Sequence, residues 1–307
     1  MKTILVTGGN GLLGQKIIYG LRNREGICCI STSRGENRMK AKDGYIFEAL
    51  DLVNKEDLFK IVNKYSPDSI IHTAALTNVD ACENRKEEAW EQNVTVVESL
   101  VEICTKLNIH LVHLSTDFVF NGEKGPYVET DQPDPLSYYA LTKLEGEKRI
   151  IESPINWAIL RTIIIYGVVD DNSRSNVVLW AINALKDKKT ITVINDQFRS
   201  PTLAEDLADA CISAALKKAQ GIYHVSGYEL LCMLDIVKIV ADVFKLDPDY
   251  IQPISSKDLN QPAKRPPVTG FIITKATKEL DFHPRSFIEG LIYLKNQLLL
   301  VAGNKIN

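Results

Sequence analysis

The sequence predicts an α/β protein: a doubly wound parallel sheet carrying a smaller C-terminal α/β lobe. Three observations predict it. Short, nearly continuous apolar runs alternate with longer amphipathic stretches through the first half; the first run ends in a glycine cluster that opens a helical pattern; and the second half loses this regularity without any low-complexity linker or internal repeat. Strands covered on both faces read as unbroken apolar runs, because neither side of the pleat meets water. Strands that alternate with helices close as a parallel sheet, and such sheets take their ligands at the carboxyl ends of the strands, where the strand order reverses.

In chain order, strands are expected at residues 3–7, 27–32, 45–49, 69–73, 110–115 and 157–161, with helices at 12–22, 55–64 and 87–106 between them. The second half carries helical patterns at 176–187, 203–217, 233–244 and 287–300, separated by short strands at 191–193 and 222–225. Proline clusters at 133–135 and 262–267 mark loops.

Composition removes several function classes. With 307 residues, 45% of them hydrophobic, the chain is long enough to bury a sizeable core. A net charge of −3 leaves no electrostatic footprint for nucleic acid or an anionic membrane. There is no run of about 18 apolar residues to span a bilayer, and the apolar start is too short for a signal peptide. The six cysteines (Cys28, Cys29, Cys82, Cys104, Cys211 and Cys232) show neither CxxC pairing nor a disulfide framework, so they read as small core residues. The five histidines lack metal-ligand spacing, and no metal is expected. A cytoplasmic protein is the expectation.

The opening strand runs into Gly8-Gly9-Asn10-Gly11-Leu12-Leu13-Gly14 and then a helix. Glycine is needed where the chain turns sharply, where backbone approaches a pyrophosphate and where helix packs close on strand. The following helix offers unpaired N–H groups and the positive end of its dipole to phosphate. A strand–turn–helix of this kind predicts a Rossmann sheet holding a dinucleotide, with Gly8, Asn10, Gly11, Leu12 and Gly14 along the phosphates. Residues 1–160 are accordingly expected to form the dinucleotide-binding domain, joined by returning segments from about 190–230, and residues 161–307 mainly the substrate-binding lobe.

The end of the second strand bears on cofactor choice. An acid there would bond the ribose 2′-hydroxyl of NAD; this strand ends Ser31-Thr32-Ser33-Arg34 instead. Ser33 and Arg34 suit a 2′-phosphate, so NADP(H) is favoured, with NAD(H) the alternative and a solvated surface charge the competing reading of Arg34. Asp51 and Leu52 follow the third strand, where the adenine would lie. Ala74, Ala75 and Leu76 follow the fourth, where small side chains let the dinucleotide lie against backbone.

Tyr139 and Lys143 stand four apart near the start of a helical pattern, which puts them on one face. An ammonium beside a phenol favours phenolate and suits the tyrosine to proton transfer near neutrality. Alone this spacing is common on surface helices. Its weight comes from Ser115-Thr116-Asp117 at the end of the preceding strand, where Thr116 can bond the same reacting oxygen.

The ordered set Gly8-x-x-Gly11-x-x-Gly14, Ser115-Thr116-Asp117, Tyr139-x-x-x-Lys143 and Gly146-Glu147 resembles the extended short-chain dehydrogenase/reductase superfamily, and within it the dTDP-4-dehydrorhamnose reductase family. Further matching runs are His72-Thr73-Ala74-Ala75-Leu76-Thr77-Asn78-Val79-Asp80, Phe118-Val119-Phe120-Asn121-Gly122, Leu160-Arg161-Thr162 and Asp196-Gln197-Phe198-Arg199-Ser200-Pro201-Thr202. The resemblance covers nearly the whole chain. It implies NAD(P)H-dependent reduction of a nucleotide-linked 4-keto-6-deoxy sugar, with Tyr139 as general acid, Lys143 lowering its pKa and holding the nicotinamide ribose, and Thr116 orienting the carbonyl. Thr77, Val79, Asp80 and Asp117 match positions at the sugar end, and Arg265 matches a basic loop that approaches the diphosphate or closes the pocket. Asp80 has a second reading as a helix N-cap, and Arg265 as a surface charge. Asn93 matches an asparagine that supports the active-site helix. The resemblance also implies a homodimer through helices 87–106 and 137–152.

One departure bears on the substrate. The family carries a tryptophan shortly after its Leu-Arg-Thr strand, where this chain has Ile163, Ile164 and Ile165, so an aromatic platform for the sugar is missing. Two other functions share the scaffold: a nucleotide-sugar epimerase or dehydratase, and a non-catalytic regulatory subunit that binds a dinucleotide and a partner enzyme. The residues after Thr116 are Asp117-Phe118 rather than the Asp-Glu usual in dehydratases.

Overall fold

The computed structural model describes residues 1–171 and 175–303. Six strands come from the first half: β1 (Lys2–Thr7), β2 (Ile27–Ser33), β3 (Ile46–Ala49), β4 (Ser69–His72), β5 (His110–Thr116) and β6 (Trp157–Thr162). The later chain supplies β7 (Ile165–Tyr166), β8 (Ile191–Ile194), β9 (Phe198–Arg199), β10 (Thr202–Leu203) and β11 (Gly221–His224), followed by β12 (Leu231–Cys232), β13 (Ile251–Ile254) and β14 (Val268–Thr269). The central sheet has seven strands in the order β11-β6-β5-β4-β1-β2-β3. Every pairing in it is parallel. Strand order reverses between β1 and β4, so the carboxyl ends of those two strands open a crevice at the switch point.

Helices cover both faces. They are α1 (Leu12–Leu21), α2 (Lys55–Tyr65), α3 (Val79–Asn84), α4 (Lys86–Trp90), α5 (Val96–Leu107), α6 (Tyr138–Ile151), α7 (Val177–Lys186), α8 (Ala204–Lys217), α9 (Met233–Phe244), α10 (Thr274–Leu280) and α11 (Phe287–Gly303). One face of the sheet buries Ile4, Val6, Ile71 and Val112 against Ile17, Ile18 and Leu21 of α1 and Leu207 and Cys211 of α8. Gly20 lets α1 and α8 close together, since a Cβ there would stand 2.7 Å from Ile212. The other face buries Leu5, Ile30, Ile70 and Leu111 against Leu58 of α2, Leu100 of α5 and Ile150 of α6. A separate apolar core lies in the C-terminal lobe, where Val178 and Ile182 of α7 meet Ile236 and Val240 of α9 and Leu291 of α11.

The expected helix over 87–106 is broken. It runs as α4, then one wide π-helical turn at Glu91–Thr95, then α5. The wide turn brings Asn93 inward, where it is fully buried and bonded on all sides. Its Oδ1 accepts from the Leu76 N–H at 2.9 Å, and its Nδ2 donates to Leu76 O at 3.1 Å and Thr142 Oγ1 at 3.0 Å. Periodicity does not reveal such an insertion, because the residues on either side keep helical spacing. The strand expected at 222–225 is β11, which pairs with β6 at the edge of the central sheet. All six cysteines are free thiols. Among the described residues no helix is long and apolar enough to cross a membrane.

Candidate active site

A cleft of about 580 Å³ lies over the carboxyl ends of β1, β2, β4 and β5. Its first wall is backbone. Gly8 has φ +72°, and a Cβ there would stand 2.7 Å from Thr73 Oγ1 and 3.0 Å from the Ala74 nitrogen. A Cβ on Gly14 would stand 2.3 Å from Gly8 O, so the first turn of α1 sits directly on the glycine turn. Gly11 caps α1 without a side-chain hydrogen bond, and the first turn holds no acid. The N–H groups of that turn are therefore not taken up by a capping side chain, which fits a pyrophosphate. Leu12, Ala74 and Ala75 also line the cleft, while Leu76 does not: its backbone is engaged by Asn93.

Ser33, Arg34, Asp51 and Leu52 line the far end of the cleft, together with Arg38. Asn10 lines it too, but its amide faces the loop after β2. It donates to Glu36 O at 2.8 Å and accepts from the Arg38 N–H at 2.9 Å. The residue expected beside the phosphates therefore also pins the loop that carries both arginines.

At the other end stand Thr116, Tyr139 and Lys143. Ser137 starts α6 by accepting from the Ala140 N–H, which fixes where the helix begins and where Tyr139 points. Tyr139 is buried, and burial pushes its phenol above the usual range; a hydrogen bond with Thr116 pulls it down, and the Asp117 charge pushes it up again. The expectation that Lys143 would lower the tyrosine needs correction. The lysine Nζ instead lies 3.2 Å from His113 Nε2, and burial lowers its own pKa to about 8.

The residues expected at a sugar divide in two. Thr77 and Asp117 line the cleft. Asp117 is buried, accepting from Thr116 Oγ1 at 3.1 Å and Thr269 Oγ1 at 2.5 Å, with Arg199 Nε at 3.9 Å. Burial raises its carboxyl despite the arginine. Arg199 is itself buried, and donates to Phe198 O, Pro267 O, Pro266 O and Gln197 Oε1. Val79, Asp80 and Arg265 do not line the cleft. Arg265 Nη2 meets Asp80 Oδ2 at 2.8 Å, so the two candidates bind each other and join α3 to the loop before β14. Asp80 does not cap α3; Asn78 does, accepting from the Ala81 N–H at 2.9 Å.

Comparison with known proteins follows the same lines. The family model described as RmlD substrate binding domain matches residues 1–299. The chain belongs to that family. Two solved structures share its fold closely: the dTDP-4-dehydrorhamnose reductase of Clostridium acetobutylicum (TM-score 0.83, 27% identity, covering 97% of this chain and 99% of that one), and that of Bacillus anthracis in complex with NADP (TM-score 0.83, 25% identity, covering 97% and 100%). The methionine adenosyltransferase 2 subunit beta of Bos taurus is 30% identical over 261 residues, 83% of this chain and 75% of that protein.

This RmlD-family chain also places residues on the cleft that its sequence did not single out: Arg38, Gln92, Thr162, Ser175 and Asn176. Asn176 had a usable signal, since an asparagine just before an apolar helical pattern is a helix N-cap, and it caps α7. Arg38 had none, because it stands in an irregular polar loop whose course is set by Asn10. Ile164, one of the three isoleucines that follow the Leu-Arg-Thr strand, lines the cleft at φ +31°, an unusual backbone state for a β-branched residue. Among the described residues no group of acids, histidines or cysteines could hold a metal.

Proposed function

We propose that this chain is an NAD(P)H-dependent reductase of a nucleotide-linked 4-keto-6-deoxy sugar, preferring NADP(H). The observation that carries the reading is the convergence of Thr116, Tyr139 and Lys143 at one end of a cleft whose other end is a glycine turn fitted to a pyrophosphate. Support for NADP(H) comes from Arg34 and Arg38 at the adenosine end, where two guanidinium groups suit a 2′-phosphate.

In this reading the glycine turn and the first turn of α1 would hold a reduced dinucleotide, which would supply hydride for the carbonyl carbon. Thr116 hydrogen-bonds the carbonyl oxygen and fixes its position. Tyr139 delivers its phenolic proton to that oxygen, and its buried setting keeps the phenol fully protonated beforehand. The Lys143 ammonium, present below about pH 8, offsets the negative charge left on the tyrosine. Asp117, held by Thr269 when Thr116 turns its hydroxyl to the carbonyl, shapes the sugar end. The protein's contribution is placement and electrostatics.

The test is NADPH consumption across dTDP-, GDP-, UDP- and CDP-linked 4-keto-6-deoxy sugars, with Tyr139→Phe as control. Turnover with one of them, lowered about 10²- to 10⁴-fold in the variant while NADPH still binds, supports the reading. Equal rates for both proteins would sink it. The likeness to a methionine adenosyltransferase subunit favours one other reading, a regulatory chain that binds the dinucleotide without turning it over. It predicts saturable NADPH binding and no consumption with any of these sugars.

A further inference from the structure

Behind the cleft, two histidines from neighbouring strands lie face to face. His72 ends β4 and His113 stands opposite it in β5. Both are buried, with ring centroids 5.3 Å apart and planes inclined by 28°. His72 Nδ1 is engaged with Thr7 Oγ1 at 2.8 Å. His113 Nε2 faces Lys143 Nζ at 3.2 Å, and its Nδ1 has no partner. A lysine ammonium can only donate, so Nε2 is the bare nitrogen and Nδ1 carries the hydrogen. Burial and the lysine's charge hold both imidazoles far below their usual range, so His113 is a neutral acceptor at any working pH.

The other groups around the lysine leave this role to His113. On α6, Glu147 is committed to Arg161 of β6, with contacts at 2.6, 3.0 and 3.2 Å, and acts on the lysine only through space. Tyr139 on the same helix interacts with Thr116. His72 is held by Thr7. Gly146 permits the approach of α6, since a Cβ there would stand 2.8 Å from Asn93 O and 3.9 Å from His113 Nε2.

We propose that His113 is a positioning residue for the reaction: its Nε2 accepts a hydrogen bond from the Lys143 ammonium from behind, and so fixes the nitrogen with its remaining N–H groups free for the cleft. The inference rests on the reductase reading for its catalytic meaning, but not for its geometry. Without the acceptor the buried ammonium is less stabilised, so Lys143 should lose its proton at lower pH.

The test compares His113→Leu with His113→Gln in the full chain, because the glutamine amide oxygen can accept the same proton. Lysine ¹³Cε NMR follows the Lys143 titration without cofactor, and fluorescence titration follows NADPH binding. In the leucine variant the titration should move down by about one pH unit and NADPH binding should weaken about tenfold. Glutamine should bring both to within about threefold of the wild type. If an active sugar is found, the alkaline limb of kcat should move with the titration. Wild-type values in the leucine variant, or glutamine behaving like leucine, would overturn the proposal. If the leucine variant does not fold, ¹⁵N NMR of wild-type His113 decides: a hydrogen on Nδ1 supports the proposal and a hydrogen on Nε2 ends it. Absence of turnover with every sugar would remove the reductase reading and leave the titration and binding comparison to judge His113.

Discussion

The two ends of the cleft are made from different materials. The end at the glycine turn is backbone: Gly8, Gly11, Gly14 and the first turn of α1 lie within a few residues of one another, with Ala74 and Ala75 brought beside them from the end of β4. The opposite end is a set of buried charges and hydroxyls drawn from far apart, with Asp117 after β5, Arg199 on β9 and Thr269 on β14. The first kind of site follows from local sequence rules and tolerates no added atom. The second depends on three separate segments arriving together, and each charge is tolerated only because the others are present.

That difference can be broken from either side. Arg199→Met should do the most damage, because it removes the charge facing buried Asp117 and four hydrogen bonds at once. A loss of about 3–5 kcal/mol is expected, read as a lowered midpoint in urea unfolding. A midpoint unchanged from wild type would mean that Asp117 is held by hydroxyls alone. At the opposite end Gly14→Ala forces a methyl group onto Gly8 O. We expect about 2 kcal/mol of lost stability and at least a tenfold drop in NADPH affinity, from calorimetry on the folded fraction.

Lys143 sharpens the contrast from the middle. Its pKa is about 8 in the fold against an ordinary value of 10.5, so the unfolded chain binds more protons between those values and stability rises with pH there. Below about pH 8 the full penalty of burying the ammonium is present. Lys143→Met should therefore be about 3 kcal/mol more stable than wild type at pH 7, with the advantage shrinking as pH climbs toward 10.5. A pH-independent difference between the two proteins would contradict this. Smallest of all should be Arg34→Ala and Arg38→Ala, each narrowing the preference for NADPH over NADH about tenfold while leaving the NADH KM unaltered.

The same contrast explains what was legible in the sequence. Gly8, Gly11 and Gly14 announce themselves because a turn, a close approach and a helix start all lie within seven residues. The central sheet was readable for a similar reason: most of its strands are built round a short apolar run, such as Ile4-Leu5-Val6, Ile70-Ile71 and Ala158-Ile159-Leu160. The two-residue strands of β7, β9, β10, β12 and β14 carry no period at all, and they position Arg199 and Thr269. Asp80 was placed at the sugar and Arg265 on a loop reaching the diphosphate or closing the pocket, but neither sequence position reveals that they lie within reach of one another, 185 residues apart. Tyr139 and Lys143 were correctly put on one helix, yet the strand histidine that claims the lysine stands 30 residues earlier.

The edge strand β11 has a consequence for how the molecule comes into being. It is laid beside β6 some sixty residues after β6 has been made, and α8, which covers the sheet's α1 side, arrives just ahead of it. A growing chain that has reached residue 162 therefore holds six strands with a bare outer edge and one greasy face half uncovered, the condition in which nascent sheets recruit unwanted neighbours. The chain through His224, where β11 ends, must clear the ribosome before that flank can be sealed.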